Sequence, residues 1–100
     1  MEHLRYPIGN FKLPDAYPMN SIKGWIQDLK DLPLEFRTIA ESLSNGQLHS
    51  PYRPDGWTGM QVIHHVADSH MNALIRIKLT LTEENPTVKP YIEEEWAKLT

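Results

Sequence analysis

WTGMQVIHHVADSHMNALIRIKLTLTEENP, residues 57–86, carries the reading on which the fold turns. Thr58 followed three residues later by Gln61 has the spacing of a capping box, in which side chains and backbone N–H groups satisfy each other at a helix start. Ile63, Val66, Ala67, Ala73, Leu74, Ile77 and Leu81 then recur with a helical period, and Asn85-Pro86 closes the run. The stretch predicts one long helix over 57–82, ~36 Å long at the α-helical rise.

Three of the chain's five histidines, His64, His65 and His70, fall in the first half of that helix. Neutral imidazole is the commonest metal-binding side chain and the usual general base near neutral pH, so chemistry is sought here first. At about 100° per residue, His64 and His65 point roughly 100° apart, His64 and His70 about 120°, and His65 and His70 about 140°. No pair has the i, i+3 or i, i+4 spacing that sets two side chains on one face. One metal ion therefore takes at most one of them, and its other ligands come from elsewhere.

Upstream, Ile22, Trp25, Ile26, Leu29 and Leu32 set up an amphipathic helix. Pro33 lacks an N–H donor and its ring crowds the carbonyl four residues back, which predicts a kink or a restart. Leu34, Phe36, Ile39, Ala40 and Leu43 carry the apolar face onward, giving a kinked helix over 19–43. Before it, Pro7, Gly9, Pro14 and Pro18 predict an extended arm over 1–18 with no regular helix. Leu4, Tyr6, Ile8 and Phe11 of that arm are placed to lie across a helical body. Ser44 and Gln47 repeat the capping-box spacing and predict a short helical turn. The segment 49–56, with two prolines and an Asp-Gly pair, reads as irregular loop. Beyond Pro90 a short helix is expected over 92–99.

The class is all-α, a bundle of antiparallel helices in one domain over 1–100. The long helix carries apolar side chains over about half its circumference, more than one kinked neighbour covers. That imbalance predicts oligomerisation, aggregation, or further helices from a longer parent.

A net charge of −3, with 13 acidic against 10 basic residues, offers no basic patch for nucleic acid or an anionic membrane surface. No apolar run approaches the ~18 residues that span a bilayer, and MEHLRYPIGNF at 1–11 lacks a signal-peptide core. With no cysteine there is no disulfide framework, thiolate nucleophile or thiolate zinc site. The expected partner is a small-molecule substrate, and the expected location is the cytoplasm.

LRYPIGNF at 4–11, YRPDGWTGMQVIHHVADSHMNALIRIKL at 52–79 and LTEENPTVKPY at 81–91 resemble the DinB superfamily and, within it, the YfiT group of metal-dependent hydrolases. The likeness runs end to end. Its middle string holds the broader superfamily pattern of a Trp followed eight residues later by a His, here Trp57 and His65. The resemblance implies an up-down-up-down four-helix bundle, with this chain as its N-terminal portion, and a homodimer. It further implies one Zn²⁺ or Ni²⁺ held by three histidines. The first matches His65, and the others form a His-x-x-x-His pair on the last long helix. This chain contains no such pair, so one ligand is carried over.

A metal on three neutral imidazoles keeps an open position where bound water ionises near pH ~7, so the implied activity is hydrolysis. An alternative within the superfamily is S-transfer from a bacillithiol-type thiol. A reading of a different class is a truncated, non-catalytic helical fragment or dimerisation module, motivated by the missing pair.

His70 is the runner-up ligand. On the helical wheel it lies near the middle of the apolar arc, whereas His65 falls outside with Ser69, Asn72 and Arg76. Amphipathicity favours His70; the Trp-to-His spacing favours His65, and His65 is preferred. A lone helical histidine is nonetheless more often solvated or satisfied locally. Asp68 is a candidate acceptor for the second ring nitrogen of His65, and it also stands at i, i+4 from His64, where a surface pair is expected. Arg53 could face an anionic substrate. Glu93, Glu94 and Glu95 read as a solvated face, Trp25 and Trp57 as core anchors, and His3 and His49 carry no expected role.

Overall fold

The computed structural model describes residues 2–99; positions 1 and 100, the ends of the expected 1–100 domain, lie outside the described residues. Five helices follow in chain order: α1 (Glu2–Arg5), α2 (Met19–Ser42), α3 (Asn45–Leu48), α4 (Gly59–Thr82) and α5 (Glu93–Ala97). Among the described residues there is no strand, and a single bridge joins Pro51 to Thr58. No described helix is long and apolar enough to cross a membrane. The chain divides into two compact units, one ending at Gln47 and the other beginning at Leu48.

In the first unit, the arm holds one turn of helix where an extended chain was expected. Residues 2–5 contain neither proline nor glycine, so a turn forms, and the Tyr6 N–H reaches the Glu2 carbonyl at 2.8 Å. Pro7 ends it, and Gly9, at φ +85°, closes the following turn by donating to the Tyr6 carbonyl at 2.9 Å. The rest of the arm is irregular. Ile8 and Phe11 are 99% and 84% exposed, so neither is buried against a helical body. Tyr17 meets Trp25 edge-on at 6.3 Å. Trp25, expected as a core anchor, is 44% exposed and serves instead as a prop for the arm.

Helix α2 passes through Pro33 without interruption. The missing donor leaves the Leu29 carbonyl without its i+4 partner, but helical residues on both sides hold the conformation. Its side-chain bonds are local: Gln27 to Asp31 at 2.9 Å, Arg37 to Glu41 at 2.9 Å, and the Thr38 hydroxyl to the Leu34 carbonyl. The turn α3 begins with the expected capping box. The Ser44 N–H donates to Gln47 Oε1 at 2.8 Å, and the Gln47 N–H donates to Ser44 Oγ at 3.1 Å.

The second unit is organised around α4. The Thr58 N–H donates to Gln61 Oε1 at 3.0 Å, and the Gln61 N–H donates to Thr58 Oγ1 at 3.2 Å. At the far end, the Glu83 N–H donates to the Leu79 carbonyl, and Asn85, at φ 48°, turns the chain. Asparagine tolerates that left-handed region better than most residues. The segment 86–92 then runs back so that α5 packs on α4. Gln61 joins the two, since its Nε2 donates to the Ala97 carbonyl at 3.3 Å. Ala97, at 1% exposure, is the one fully buried side chain among the described residues.

Candidate functional site

The loop before α4 places the candidate ligand. Asp55 adopts φ 59°, and the Gly56 N–H donates to the Arg53 carbonyl at 2.9 Å. A Cβ on Gly56 would fall 2.6 Å from Arg53 Cγ, so the turn closes only around glycine. The Tyr52 N–H then bonds the Trp57 carbonyl at 3.1 Å. The loop thus delivers Trp57 to the first turns of α4, where its ring meets the His65 imidazole edge-on at 4.9 Å and 65°. Both residues are half-buried. An imidazole braced by an indole loses rotamer freedom, which is what a metal ligand needs.

The other histidines are placed differently. His70 is exposed. His64 is exposed and shares a shallow cleft of about 110 Å³ with Asp68, Trp96 and Leu99. His3 and His49 lie on exposed positions. Arg53, the candidate for anion contact, is engaged nearby: its Nε donates to Tyr52 Oη at 3.1 Å and its Nη1 to the Pro54 carbonyl at 3.2 Å. Of the glutamates, Glu95 accepts from Lys98 Nζ at 2.6 Å. Among the described residues no three His, Asp or Glu side chains come together as a metal centre would require.

A second feature of this unit arises where the returning chain meets the helix. Asn72, Arg76 and Leu79 of α4 face Val88, Tyr91 and Trp96 across a groove of about 460 Å³. The Tyr91 and Trp96 rings lie 4.7 Å apart, tilted by 54°. Arg76 Nη2 donates to the Lys89 carbonyl at 3.3 Å, while Arg76 Nε and Tyr91 Oη are buried with no hydrogen-bond partner. Burial, with the negative fields of Glu93 and Asp68, pushes the Tyr91 phenol above its ordinary pKa, and Arg76 opposes them. In the sequence Arg76 is visible as a neighbour of His65 on the helical wheel. Tyr91 carries no such signal, because it reaches α4 only through the chain reversal after Asn85.

The DinB superfamily pattern matches residues 28–100. Proteins named "Putative metal-dependent hydrolase" from Bacillus cereus (strain 03BB102) and Bacillus anthracis (strain A0248) are each 54% identical over 99 residues, covering 99% of this chain. The chain spans 57% of the length of these relatives. A solved structure of YfiT from Bacillus subtilis, described as "a probable metal-dependent hydrolase with an unusual four-helix bundle topology", superposes with a TM-score of 0.91 at 45% identity. That match covers 96% of this chain and 55% of YfiT. The helical fold therefore matches that of the part of the YfiT four-helix bundle that the superposition covers.

Proposed function

The chain belongs to the DinB superfamily, and from that premise we propose that it contributes His65 as one ligand to a divalent metal centre in a hydrolase of small molecules. The observation that carries this reading is the braced imidazole: His65 is half-buried and held at 4.9 Å by Trp57, whereas His70 is exposed. The metal dependence in the relatives' names supports the same chemistry. Zn²⁺ and Ni²⁺ both suit imidazole donors. The described residues supply one such donor and no cluster of three. They do not make a metal centre unaided, and no catalytic step is assigned to them. A homodimer and a cytoplasmic location belong to the same proposal.

A second reading is favoured by a specific observation. With Ala97 alone fully buried among the described residues, much apolar surface on α2 and α4 stays accessible, as in a helical module that acts by association. Metal titration separates the two. Because these residues supply one donor, the hydrolase reading expects uptake of Zn²⁺ or Ni²⁺ in an assembly that adds the remaining ligands, abolished by His65→Ala and left intact by His70→Ala. Ions shared between chains would show themselves as uptake confined to the oligomer. No stoichiometric uptake, with His65→Ala indistinguishable from the parent, leaves the association module.

A further inference from the structure

Helix α4 is covered along one side and bare along the other. Gln61, Asn72, Arg76 and Leu79 share a stripe that meets α5 and the returning segment. The opposite side is centred on His70. Leu74 and Ile77 are each 55% exposed there and Leu81 is 79% exposed, and Ala67, His70 and Ala73 are exposed as well. Within about 60° of His70 on the helical wheel, no residue of α4 carries a charged side chain other than His70 itself. Asp68 and Arg76 lie on the other half of the helix, and Lys78 sits at the flank, about 80° away. Outward from His70, this side is nearly the same in both directions. Ala67 and Ala73 stand three residues away, Val66 and Leu74 four, and Ile63 and Ile77 seven. An antiparallel contact between identical helices needs that symmetry. Its two-fold axis sets each residue before the centre against the one equally far after it.

We propose that this side of α4 is an interface with a second copy of the chain, in which two α4 helices pack antiparallel about a two-fold axis at His70. Helical pitch then sets Ile63 against the partner's Ile77. Leu74 falls within about 1.5 Å, along the axis, of the partner's Ala67, and Val66 equally close to the partner's Ala73. Large side chains thus enter the space that small ones leave, which is how close packing is reached. Leu81 is met in the same way by the partner's Gly59. The charges also fit. A residue on the axis meets its own copy, where a lysine or a carboxylate would repel itself. Two neutral imidazoles instead offer each other an N–H and a bare nitrogen.

Size sets the strength of this contact. From Gly59 to Leu81 the stripe runs about 33 Å and is one helix wide. It therefore buries less than the ~800 Å² per partner of a stable complex of standard size, and reversible association in the micromolar range follows. The interface gives the association reading above its partner and rests on that reading. It is independent of the metal centre, since His65 lies about 140° round the helix from His70.

The test is sedimentation equilibrium of the whole chain in EDTA, joined to disulfide mapping. The chain has no cysteine, so single-cysteine variants report one contact each. A monomer–dimer equilibrium is expected, which Leu74→Glu weakens at least tenfold; Leu74 is exposed, and an unchanged circular dichroism spectrum shows that the fold survives. Under oxidised glutathione, His70→Cys should cross-link to its own copy. Ile63→Cys mixed with Ile77→Cys should cross-link to each other at least tenfold faster than either does to itself. A dimer that Leu74→Glu leaves intact, or in which Ile63→Cys and Ile77→Cys each prefer their own kind, overturns this interface and leaves the association reading standing. A monomer at every concentration up to the millimolar range overturns both. A monomer that pairs one-to-one with the part of YfiT outside the match, and not with itself, overturns the second copy as the occupant.

Discussion

Helices α2 and α4 are each 24 residues long and amphipathic, yet the units they dominate are built differently. Helix α2 starts after Pro18 with no side-chain cap, crosses a proline, and makes its side-chain hydrogen bonds within three or four residues. Helix α4 starts on a full capping box and carries bonds over 36 and 13 residues, from Gln61 to Ala97 and from Arg76 to Lys89. The difference does not lie in the helices' own periodicity. It lies in the segment that succeeds each helix. After α4, Asn85 reverses the backbone and the segment to Ala97 lies back on the helix. After α2 comes only the single turn of α3. Tertiary order within each unit tracks the returning segment, and it is in the unit with one that the candidate ligand and the groove occur.

The strongest challenge to this contrast is Pro33→Ala. Proline in a helix interior is about 3 kcal/mol worse than alanine, so amide exchange over 29–37 should slow by up to about a hundredfold. Unchanged exchange would mean that α2 is limited by its missing packing and not by its proline. Next in size, Ala97→Glu places a carboxylate at a fully buried position and should destabilise α5 docking by about 2 kcal/mol. The Trp96 fluorescence should then shift to that of solvated indole while far-UV circular dichroism keeps most of its helical signal. Equal loss of both would show that α4 needs α5 to stay helical.

Gln61→Ala removes a cap and the link to Ala97 together, at about 1.5 kcal/mol, against about 1 kcal/mol for Thr58→Ala. Thermal melts of both variants and of the double variant measure the coupling. Additive losses would mean that the box is not reciprocal in solution. The smallest effect is in alkali. The Tyr91 phenol titrates above its ordinary 10.0 because burial disfavours the phenolate, so the folded state retains its proton longer than the unfolded state. Stability is then intact below pH 10.0 and falls as pH rises above it. Tyr91→Phe should remove that alkaline loss, as chemical melts above pH 10.0 would show.

Much of the local architecture is open to inference from the residues. Both capping boxes, Ser44 with Gln47 and Thr58 with Gln61, form as their spacing predicts, because each is settled within one turn of chain. The all-helical class arises from apolar periodicity in the same way. Residues 2–5 depart from the extended arm, because prolines further along do not forbid a single turn ahead of them. The restart that was one expected outcome at Pro33 does not occur: α2 continues through it, since neighbouring hydrogen bonds outweigh the one it lacks. Trp25 has the right period but not the burial expected of it, which depends on what stands opposite.

At the candidate site the division is similar. That one ion takes at most one of His64, His65 and His70 is a consequence of helical pitch, and the residues alone establish it. They also establish a helix carrying His65, Asn72 and Arg76 on one stripe. The bracing of His65 by Trp57, and the presence of Arg76 and Tyr91 in the lining of one groove, depend on the folded chain. Pitch and capping are local properties, set by φ, ψ and a few side chains. Which distant ring arrives beside which helix depends on how a loop such as 83–92 turns, and that is an outcome of packing between segments far apart in the chain.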